Sequence, residues 1–516
     1  MNIATNHTDN LASTLYRSAE LLADEPAIYH GKDVYISWRK LVERVEKLVL
    51  VLHEMGVQQG DGVGLAMTNC PAYIEILYAC WRLGAIAVPM NAKGHASDFQ
   101  YMLEHSRSRI CFVTDDLLST INKAVAGSDQ DIAVLPVYSD ELATRVCQAD
   151  PANLSPVPDV ALAPAWLFYT SGTTGKPKGA TLTHSNLLAM ADAFFQDLEE
   201  VQSHDHLIHA APMSHGSGLY IIPHIIKGAA QVVPESGKFK GPELVSLINY
   251  FGNSRVFAAP TMLQRLLDDP ATDSLPGLKT IILGGGPLYV HDCINALKKF
   301  GPKIAQIYGQ GETPMTITGM TKQALQQAYE QNDWAYLGSV GTAFTGVEVV
   351  VVDEQGAPQP PEAAGEILVR GPTVMQGYWQ NPQASADTVR DGWLHTGDIG
   401  TFDQRGVLTL KDRSKDLIIS GGTNIYPREV EEMLITHPQI KEACVVGVPD
   451  VEWGESVAAV IVPEAGTEPS VEAIDQFCIE HLARFKRPKR YLLTGELPKN
   501  ATGKVLKAKV RAMLGY

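Results

Sequence analysis

The residues best suited to binding a polyphosphate lie in one stretch, residues 169–179, which reads Tyr-Thr-Ser-Gly-Thr-Thr-Gly-Lys-Pro-Lys-Gly. Glycines allow a backbone to turn so that several N–H groups point into one concavity, and hydroxyl and ammonium groups supply further donors. The stretch follows a short apolar strand predicted at 165–168. We predict a phosphate-binding loop with the candidate ligands Thr170, Ser171, Gly172, Thr173, Thr174, Gly175, Lys176 and Lys178.

Two other interpretations of this stretch are weaker. The P-loop of ordinary NTPases has four residues between its glycines and a Ser or Thr after its lysine. Here only two residues separate Gly172 from Gly175, and Pro177 follows Lys176 and disfavours helical geometry there. A flexible Gly/Ser linker is disfavoured because the stretch lies between two apolar strand candidates.

A second candidate site is the run 213–218, Met-Ser-His-Gly-Ser-Gly. A serine-hydrolase elbow requires G-x-S-x-G, and the run lacks this pattern because Gly216 directly precedes Ser217. A buried histidine without a chemical role explains His215 as well as a functional one does.

The segments around these residues predict an open α/β sheet. Apolar residues at three- and four-residue intervals over 41–55, followed by Gly56, predict an amphipathic helix. A strand at 62–67, a helix at 71–84 and a strand at 85–89 imply parallel pairing through a crossover. Five further strands alternate with helices, at 206–211, 230–234, 255–259, 280–283 and 304–308.

Ligands in such sheets bind at the carboxyl ends of the strands. The residues predicted to follow those ends, and so to line a site, are His215, Pro260, Gly284, Gly285, Gly286, Gly309, Gln310, Gly311 and Glu312. Glu312 is expected to be exposed at its strand end.

The last third of the chain has a different pattern. Short strands at 348–352, 366–369 and 407–410 with Gly/Pro turns predict a small antiparallel β subdomain. The polar run 412–416 precedes about a hundred residues of α+β character, a common size for a small domain. These carry a helix around 429–434, strands at 443–448 and 457–462, and a helix at 471–482. We predict an N-terminal domain at 1–411, a hinge at 412–416 and a C-terminal domain at 417–516.

Composition narrows the class of protein. A chain of 516 residues is too long for one core. Its net charge of −16 argues against nucleic acid or an anionic membrane as the main partner. The seven cysteines form no C-x-x-C motif, which argues against a disulfide framework or a zinc site and favours a cytoplasmic location. The N-terminus lacks a signal-peptide pattern, and polar residues interrupt the most apolar segment, 62–90, so we expect no membrane span.

The stretch 169–179 resembles the signature of the adenylate-forming superfamily, which includes acyl-CoA synthetases, beetle luciferases and the adenylation domains of peptide synthetases. Further motifs of that superfamily follow in order at Tyr308, His395, Asp412 and Lys504, so the resemblance covers nearly the whole chain. It implies an α/β fold in which a large N-terminal domain precedes a mobile α+β lid domain. It also implies ATP, Mg²⁺ and CoA as cofactors or substrates, with a carboxylic acid as the group to be activated.

The resemblance assigns most nucleotide contacts. Tyr308-Gly-Gln-Gly-Glu312 is similar to the family's Tyr-Gly-x-Thr-Glu, in which the Tyr packs on adenine and the Glu binds Mg²⁺, here together with Thr170. Asp398 of His395-Thr-Gly-Asp398 would bind the ribose hydroxyls, and Arg413 would share that role. The other implied nucleotide contacts are Gly284, Gly285, Gly286, Pro287, Gln306, Gly309, Gln310 and Thr313.

The acid would lie near His215, and its implied pocket is formed by His215, Gly216, Ser217, Gly218, Gly286 and Gly311. Gly311 stands where the family has the Thr that contacts the α-phosphate, which predicts extra room, and the neighbouring Thr313 is a candidate substitute for that contact. The many glycines predict an uncrowded pocket for a medium or long fatty acid or an aryl acid. No Asp lies between Pro212 and Tyr220 to bind a substrate ammonium, which argues against an amino acid.

Lys504, in the run 498–504, matches the family lysine that bridges carboxylate, phosphate and ribose oxygens during adenylation. Lys415 matches the hinge position. The basic run 485–489 closes a predicted helix and resembles the CoA site of aryl-CoA ligases, which selects Phe485, Arg487 and Lys489. Gly421 and Gly422 would line the pantetheine tunnel.

These features predict an ATP-dependent acid–CoA ligase, with a homodimer as a further expectation. An enzyme that loads the acyl group onto a carrier protein is disfavoured by the basic run 485–489. A non-catalytic nucleotide-binding regulator is disfavoured because Lys504 and Glu312 are both present. The motifs do not distinguish a luciferase-like oxygenase from a ligase.

Overall fold

The computed structural model describes residues 10–154, 157–170, 176–273, 275–500 and 504–516. Its first sheet contains nine strands within those residues, and the six in the middle run parallel. In spatial order they are Thr342–Ala343, Thr318–Met320, Ile304–Tyr308, Leu278–Leu283, Ser254–Ala258, His206–Ile208, Ala230–Val233, Pro26–His30 and Asp33–Ser37.

The second sheet contains the predicted parallel pair and the arms of the phosphate-binding stretch. Strands Gly62–Ala66 and Ile86–Pro89 are parallel, as predicted from the helix between them. Strand Pro164–Thr170 pairs antiparallel with Lys178–Thr183, so that Thr170 lies opposite Lys178. In spatial order the described strands are Gly377–Tyr378, Lys178–Thr183, Pro164–Thr170, Ile86–Pro89, Gly62–Ala66, Ser108–Val113 and Ala133–Pro136.

The third sheet is antiparallel and corresponds to the predicted small subdomain. Sequence reasoning missed its longest strand, Trp393–Phe402, which contains the motif ending in Asp398. Asp412 and Arg413, the first two residues of the predicted hinge, extend a strand of this sheet, and Ser414–Asp416 forms a 3-10 turn. The described strands are Glu348–Val352, Gly365–Arg370, Val389–Arg390, Trp393–Phe402 and Leu408–Arg413.

The fourth sheet lies beyond residue 416 and has its own buried apolar clusters on both faces. Its described strands are Ile418–Ser420, Thr423–Ile425, Ile440–Asp450, Gly454–Pro463 and Arg490–Leu493. Helix Val471–His481 ends before the basic run 485–489, so the prediction that this run closes a helix was wrong; Arg484–Lys486 is a separate 3-10 turn.

Helices cover the first two sheets. Helix Pro71–Leu83 shows how the sequence sets their ends, because proline occupies its first turn and Gly84, at φ +76°, terminates it. The described helices are Ala12–Leu22, Trp38–Glu54, Pro71–Leu83, Ala96–His105, Asp115–Ala126, Asp140–Gln148, His184–Asp197, Gly216–Leu219, Ile221–Ile226, Gly241–Phe251, Pro260–Asp268, Val290–Phe300, Lys322–Glu330, Trp334–Leu337, Pro382–Thr388, Pro427–Ile435, Val471–His481 and Lys507–Met513.

All seven cysteines lie in described residues and are free thiols. None of the helices in the described ranges combines the length and the apolar character that crossing a bilayer requires.

Candidate active site

Two adjoining cavities lie where strand ends of the first three sheets face the C-terminal part of the chain. The larger has a volume of about 1050 Å³ and is lined by Thr170, Lys178, Glu312, Tyr378 and residues of the third sheet. The smaller, of about 310 Å³, is lined by Gly285, Gly286, Pro287, Gln306, Tyr308 and Asp398. Four residues line both cavities: Gly309, Gln310, Arg413 and Lys504. The predicted site residues therefore converge mainly on one composite cleft.

Glu312 is buried, whereas the sequence predicted an exposed position at a strand end; only 8% of its surface is accessible. Its Oε1 accepts hydrogen bonds from Thr170 Oγ1 at 3.2 Å and from Tyr378 OH at 2.8 Å. The exposure prediction was wrong because the backbone after Tyr308 forms a tight turn, in which Met315 N donates to Gln310 O at 2.9 Å. Tyr378 was missed by sequence reasoning because it lies 66 positions from Glu312.

The pairing of Glu312 with Thr170 fits a magnesium site. Mg²⁺ prefers hard oxygen ligands and usually takes one or two carboxylates, with water and substrate phosphates completing its shell. Among the described residues no cluster of three or more His, Cys, Asp or Glu side chains could hold a metal alone. A magnesium ion here would therefore depend on the phosphates of its nucleotide.

Asp398 is the centre of a hydrogen-bonded group in the smaller cavity. Its Oδ2 accepts from Tyr308 OH at 2.8 Å and from Gln310 Nε2 at 2.7 Å. Arg413 Nε lies 3.2 Å from Oδ1, because residues 398 and 413 are partners across neighbouring strands. Burial and Asp398 raise the pKa of Tyr308 well above its ordinary value, so the phenol stays a donor. The group brings together four residues predicted from three separate motifs: Tyr308, Gln310, Asp398 and Arg413.

The glycine run after strand Leu278–Leu283 divides into a buried and an open part. Gly284 is buried, and a Cβ there would lie 2.7 Å from Ile307 Cδ1. A Cβ added to Gly285 or Gly286 would meet only open space or ordinary contacts, and the backbone of Gly285 has φ +82°. Both glycines line the smaller cavity together with Pro287. Gln306 also lines it; its buried Oε1 has no hydrogen-bond partner among the described residues.

Lys504 lies in the cleft, where its side chain keeps contact with solvent. Its backbone N donates to Asn500 Oδ1 at 2.8 Å, and Asn500 N donates to Lys504 O at 2.8 Å. Desolvation by the surrounding protein, together with the positive charge of Arg413, lowers the pKa of the lysine to about 8. Lys415, at the predicted hinge, is exposed in the 3-10 turn Ser414–Asp416.

His215 packs against Phe168, whose ring lies next to Gly311 of the larger cavity. Its ring lies edge-on to that of Phe168, with the two ring centroids 5.6 Å apart, and its Nδ1 lies 2.9 Å from Ser214 Oγ. Burial lowers its pKa to about 4, so the imidazole is neutral near pH 7. Ser217 does not join it in a pocket: it is fully buried, with its hydroxyl 2.8 Å from His209 Nδ1.

Two of the glycines predicted to leave an uncrowded acyl pocket, Gly216 and Gly218, are tightly packed, so the prediction was wrong for them, whereas Gly286 lines the smaller cavity. A Cβ on Gly216 would lie 2.5 Å from the ring of Phe257, and one on Gly218 would lie 1.8 Å from Met213 O. These glycines permit close approach of neighbouring segments instead of leaving space.

Gly311 is crowded in the same way. A Cβ there would lie 2.6 Å from Phe168 Cδ1 and 2.7 Å from Thr170 Cγ2, so the room predicted for a threonine side chain is already occupied. Thr313, the neighbour considered as a substitute, is fully buried, and its hydroxyl accepts from Gln310 N at 3.1 Å. The structure does not bring Thr313 to the cleft.

Gly421 and Gly422 form the two-residue turn between strands Ile418–Ser420 and Thr423–Ile425, with φ of +56° and +78°. Such a turn requires positive φ at both positions, which favours glycine. Trp453 packs on this turn, and its carbonyl oxygen accepts from Gly421 N at 2.8 Å. Lys489 Nζ lies 5.4 Å from the Trp453 ring centroid. Sequence reasoning missed Trp453, although a tryptophan in the polar turn 450–454 was a usable signal.

The other two residues predicted to bind CoA are placed differently. Phe485 exposes 49% of its surface. Arg487 donates from Nε to Leu482 O at 2.9 Å and from Nη2 to Ile479 O at 3.2 Å, so its guanidinium caps the end of helix Val471–His481.

The central residues of the predicted phosphate loop, Ser171, Gly172, Thr173, Thr174 and Gly175, lie outside the described residues. The lysines that follow them are placed over aromatic rings. Lys176 Nζ lies 4.8 Å from the Tyr101 centroid and Lys178 Nζ lies 5.0 Å from that of Tyr378. Lys178 thus reaches the same side of the cleft as Glu312.

Comparison with known proteins agrees with this geometry. The profile of the AMP-binding enzyme family matches residues 15–379, and that of the AMP-binding enzyme C-terminal domain matches residues 429–504. The chain belongs to the AMP-binding enzyme family. This confirms the resemblance to adenylate-forming enzymes, and ATP-dependent adenylate formation is the chemistry of that group.

Members of this family resemble the chain over nearly its whole length. Feruloyl-CoA synthase from an Amycolatopsis species is 34% identical over 511 residues, covering 98% of this chain and 99% of that protein. The medium/long-chain-fatty-acid–CoA ligase FadD8 of Mycobacterium tuberculosis is 32% identical, covering 95% and 87%. The structure of o-succinylbenzoate CoA synthetase from Bacillus subtilis with its acyl-adenylate has a TM-score of 0.84 at 28% identity, covering 96% and 98%. The predicted α/β fold is confirmed by this likeness.

Proposed function

We propose that the protein is an ATP-dependent acid–CoA ligase that works in two steps. In the first step a carboxylate oxygen attacks the α-phosphorus of ATP, the α–β anhydride bond breaks, and acyl-AMP and pyrophosphate form. In the second step the sulfur of CoA attacks the acyl carbon, a thioester forms and AMP leaves. The convergence of Glu312, Asp398 and Lys504 on one cleft is the observation that carries this proposal.

Asp398 and its neighbours would bind the nucleoside. The carboxylate has accepting capacity left for the ribose hydroxyls beyond the bonds from Tyr308 and Gln310. The unpartnered Oε1 of Gln306 is an acceptor of the kind that an adenine amino group requires. Gly285 and Gly286 would allow the flat base to approach the backbone closely.

Glu312 and Thr170 would hold Mg²⁺, which supplies charge neutralisation for the triphosphate. Lys178 and the predicted loop residues would add donors for the same charge. The contribution of these residues is positioning and electrostatics, which dominate phosphoryl and nucleotidyl chemistry.

Lys504 would stabilise the negative charge that builds up as the carboxylate attacks. Its flexible stem suits a task in which the charge changes position. The neutral His215, edge-on to Phe168, would flank the carboxylate and exclude water from it.

The second step needs Lys504 to leave and a path for CoA to open, which one rigid arrangement does not provide. We infer a domain at 1–411, a hinge at 412–416 and a C-terminal domain at 417–516 that reorients between the steps. The separate apolar clusters of the fourth sheet support this division.

CoA would bind on the C-terminal domain beside the turn of Gly421 and Gly422. Trp453 offers a half-exposed ring there with the cation of Lys489 beside it, and Phe485 offers a second half-exposed ring in the 3-10 turn Arg484–Lys486; such groups suit an adenine and a 3′-phosphate. The guanidinium of Arg487 already donates to carbonyl oxygens at the end of a helix. To bind CoA as well, Arg487 would have to share those donors between the helix and CoA.

The acid is a medium or long fatty acid or an aryl acid, the range that the names of the feruloyl-CoA and fatty-acid relatives cover. Pyrophosphate release measured over a panel of carboxylic acids identifies it. Adding either CoA or a carrier protein to the acyl-AMP formed then identifies the acceptor. Pyrophosphate release without thioester formation from CoA would refute the proposed second step, and no release with any acid would refute the first.

A further inference from the structure

The N-terminal part of the chain contacts one helix of the C-terminal part through three consecutive residues, Leu288, Tyr289 and Val290. Helix Pro427–Ile435 supplies the partners. Arg428 Nη2 donates to Leu288 O at 3.3 Å, Tyr289 OH donates to Glu431 Oε2 at 3.2 Å, and Val290 N donates to Glu432 Oε2 at 3.3 Å. We call this set the Tyr289 contact.

Tyr289 is partly buried and packs against the apolar core of the C-terminal part. Among the described residues before 418, it is the apolar side chain packed against the C-terminal cluster that includes Ile418, Val430 and Leu434. Glu431, its hydrogen-bond partner, is buried, and its Oε1 accepts from Val445 N at 2.8 Å. The phenol therefore binds a carboxylate that is itself fixed to the fourth sheet.

The Tyr289 contact is joined to both the nucleotide cavity and the hinge. Residues 288–290 directly follow the glycine run and Pro287, and Tyr289 lines the smaller cavity with Lys504. On the other side, Asp412 Oδ2 accepts from Arg428 N at 3.3 Å and pairs with Lys507 Nζ at 3.3 Å. A change in domain orientation that carries Lys504 out of the cleft must therefore break or rearrange this contact.

We propose that Tyr289 is a positioning residue that holds the C-terminal domain in the arrangement with Lys504 in the cleft, and that release of its contact with Glu431 accompanies the change to thioester formation. The proposal rests on the two-step function proposed above. Tyr289 acts through the docked helix Pro427–Ile435.

The two half-reactions respond differently to such a residue. Weakening the contact lowers the population of the adenylation arrangement and raises that of the alternative. Acyl-AMP formation from acid and ATP should fall, while thioester formation from supplied acyl-AMP and CoA should hold or rise. A purely structural defect would lower both.

The test uses the full chain with the variant Tyr289→Phe, which keeps the ring and removes the hydroxyl. We expect the ratio of acyl-AMP formation to thioester formation, each measured separately, to fall about threefold to tenfold, the effect of losing one hydrogen bond. Glu432→Gln, which weakens the neighbouring bond to Val290 N, should change the ratio in the same direction.

Tyr491→Phe is the matched control. Tyr491 packs against the same C-terminal cluster, and its hydroxyl donates to Asp475 at 2.9 Å within that part of the chain. Loss of this hydroxyl should leave the ratio of acyl-AMP formation to thioester formation unchanged, although it should shift the melting temperature about as much as Tyr289→Phe does. Equal loss of both half-reactions in Tyr289→Phe would overturn the role of Tyr289 while leaving the ligase function intact. Absence of both reactions in the wild type would overturn the function itself.

Discussion

At the scale of single residues, the cleft depends on polar side chains that are buried but have unused bonding capacity. Glu312 and Asp398 are each less than 10% accessible and each accept bonds from a tyrosine hydroxyl. Carboxylates in such surroundings are preorganised, since they need no rearrangement of solvent when a nucleotide binds. Their substitution should therefore affect chemistry far more than affinity.

Glu312→Gln should lower adenylation by about a hundredfold, the usual effect of removing one preorganised electrostatic group. Glutamine keeps the shape and an oxygen for Tyr378, so the melting temperature should change little even though the side chain is buried. A magnesium titration of pyrophosphate release measures the effect. Glu354→Gln, an exposed acid on the rim of the same cavity, is the control. A wild-type rate across the titration would remove Glu312 from the metal site.

Lys504→Ala should abolish most of the first half-reaction and spare the second when it starts from acyl-AMP and CoA. The lysine works as a cation, and its pKa of about 8 means that it loses its proton at lower pH than an ordinary lysine. The kcat/KM for ATP in adenylation should therefore fall as pH rises through about 8, because this quantity reports the free enzyme. Lys504→Arg should remove that decline. An unchanged pH profile in the arginine variant would show that another group titrates.

Gly311→Thr should impair adenylation of every acid tested instead of changing which acids are accepted. A Cβ at this position meets Phe168 and Thr170 at 2.6 and 2.7 Å, so the larger side chain displaces a predicted metal ligand. Pyrophosphate release over the acid panel distinguishes the two outcomes. Gly495→Thr, where a Cβ meets nothing within 4 Å, serves as the control. A reordered acid preference at a normal rate would mean that Phe168 can move aside.

At the scale of elements, the site is assembled by strands that end or cross beside one another. The turn after strand Ile304–Tyr308 supplies Gln310 and Glu312, and the neighbouring strands Trp393–Phe402 and Leu408–Arg413 supply Asp398 and Arg413. Leu408–Arg413 then leads directly into the 3-10 turn of Ser414–Asp416. The strand that carries a nucleotide contact is therefore also the stem of the proposed hinge.

Lys415→Pro should leave acyl-AMP formation near normal and remove most thioester formation from supplied acyl-AMP. Proline fixes φ near −65° and so restricts rotation at this exposed position without entering either core. Each half-reaction is measured separately, with Lys415→Ala as the control that should retain both. A proline variant that makes the thioester at the wild-type rate would place the hinge elsewhere.

At the scale of the whole molecule, polar contacts near the cleft join the two parts of the chain. The Tyr289 contact and the Asp412–Lys507 pair both lie beside the hinge. Contacts of this kind are individually modest, so their loss shifts a population without unfolding either part. At this scale we predict that Tyr289→Phe lowers acyl-AMP formation and leaves thioester formation from supplied acyl-AMP unchanged or raised.

Sequence alone determined the parallel order of the main strands, the enzyme class and most members of the site, because their signals are local. A strand–helix–strand pattern imposes parallel pairing, and a Gly-rich turn after a strand places its residues at the binding edge. Tyr308, Asp398 and Arg413 were identified from motifs that resemble those of adenylate-forming enzymes, and the structure brings them into one hydrogen-bonded group.

Tertiary structure alone decided the burial and the neighbours of those residues. Tyr289 meets Glu431 across 142 positions, and Thr170 meets Glu312 across the same number. The sequence predicted open space at Gly216 and Gly311, but in the fold neighbouring segments pack closely against both glycines. A glycine in the sequence shows only that a side chain is absent at that position. Which distant segment packs into the space beside the glycine depends on how the sheets bring the two segments together.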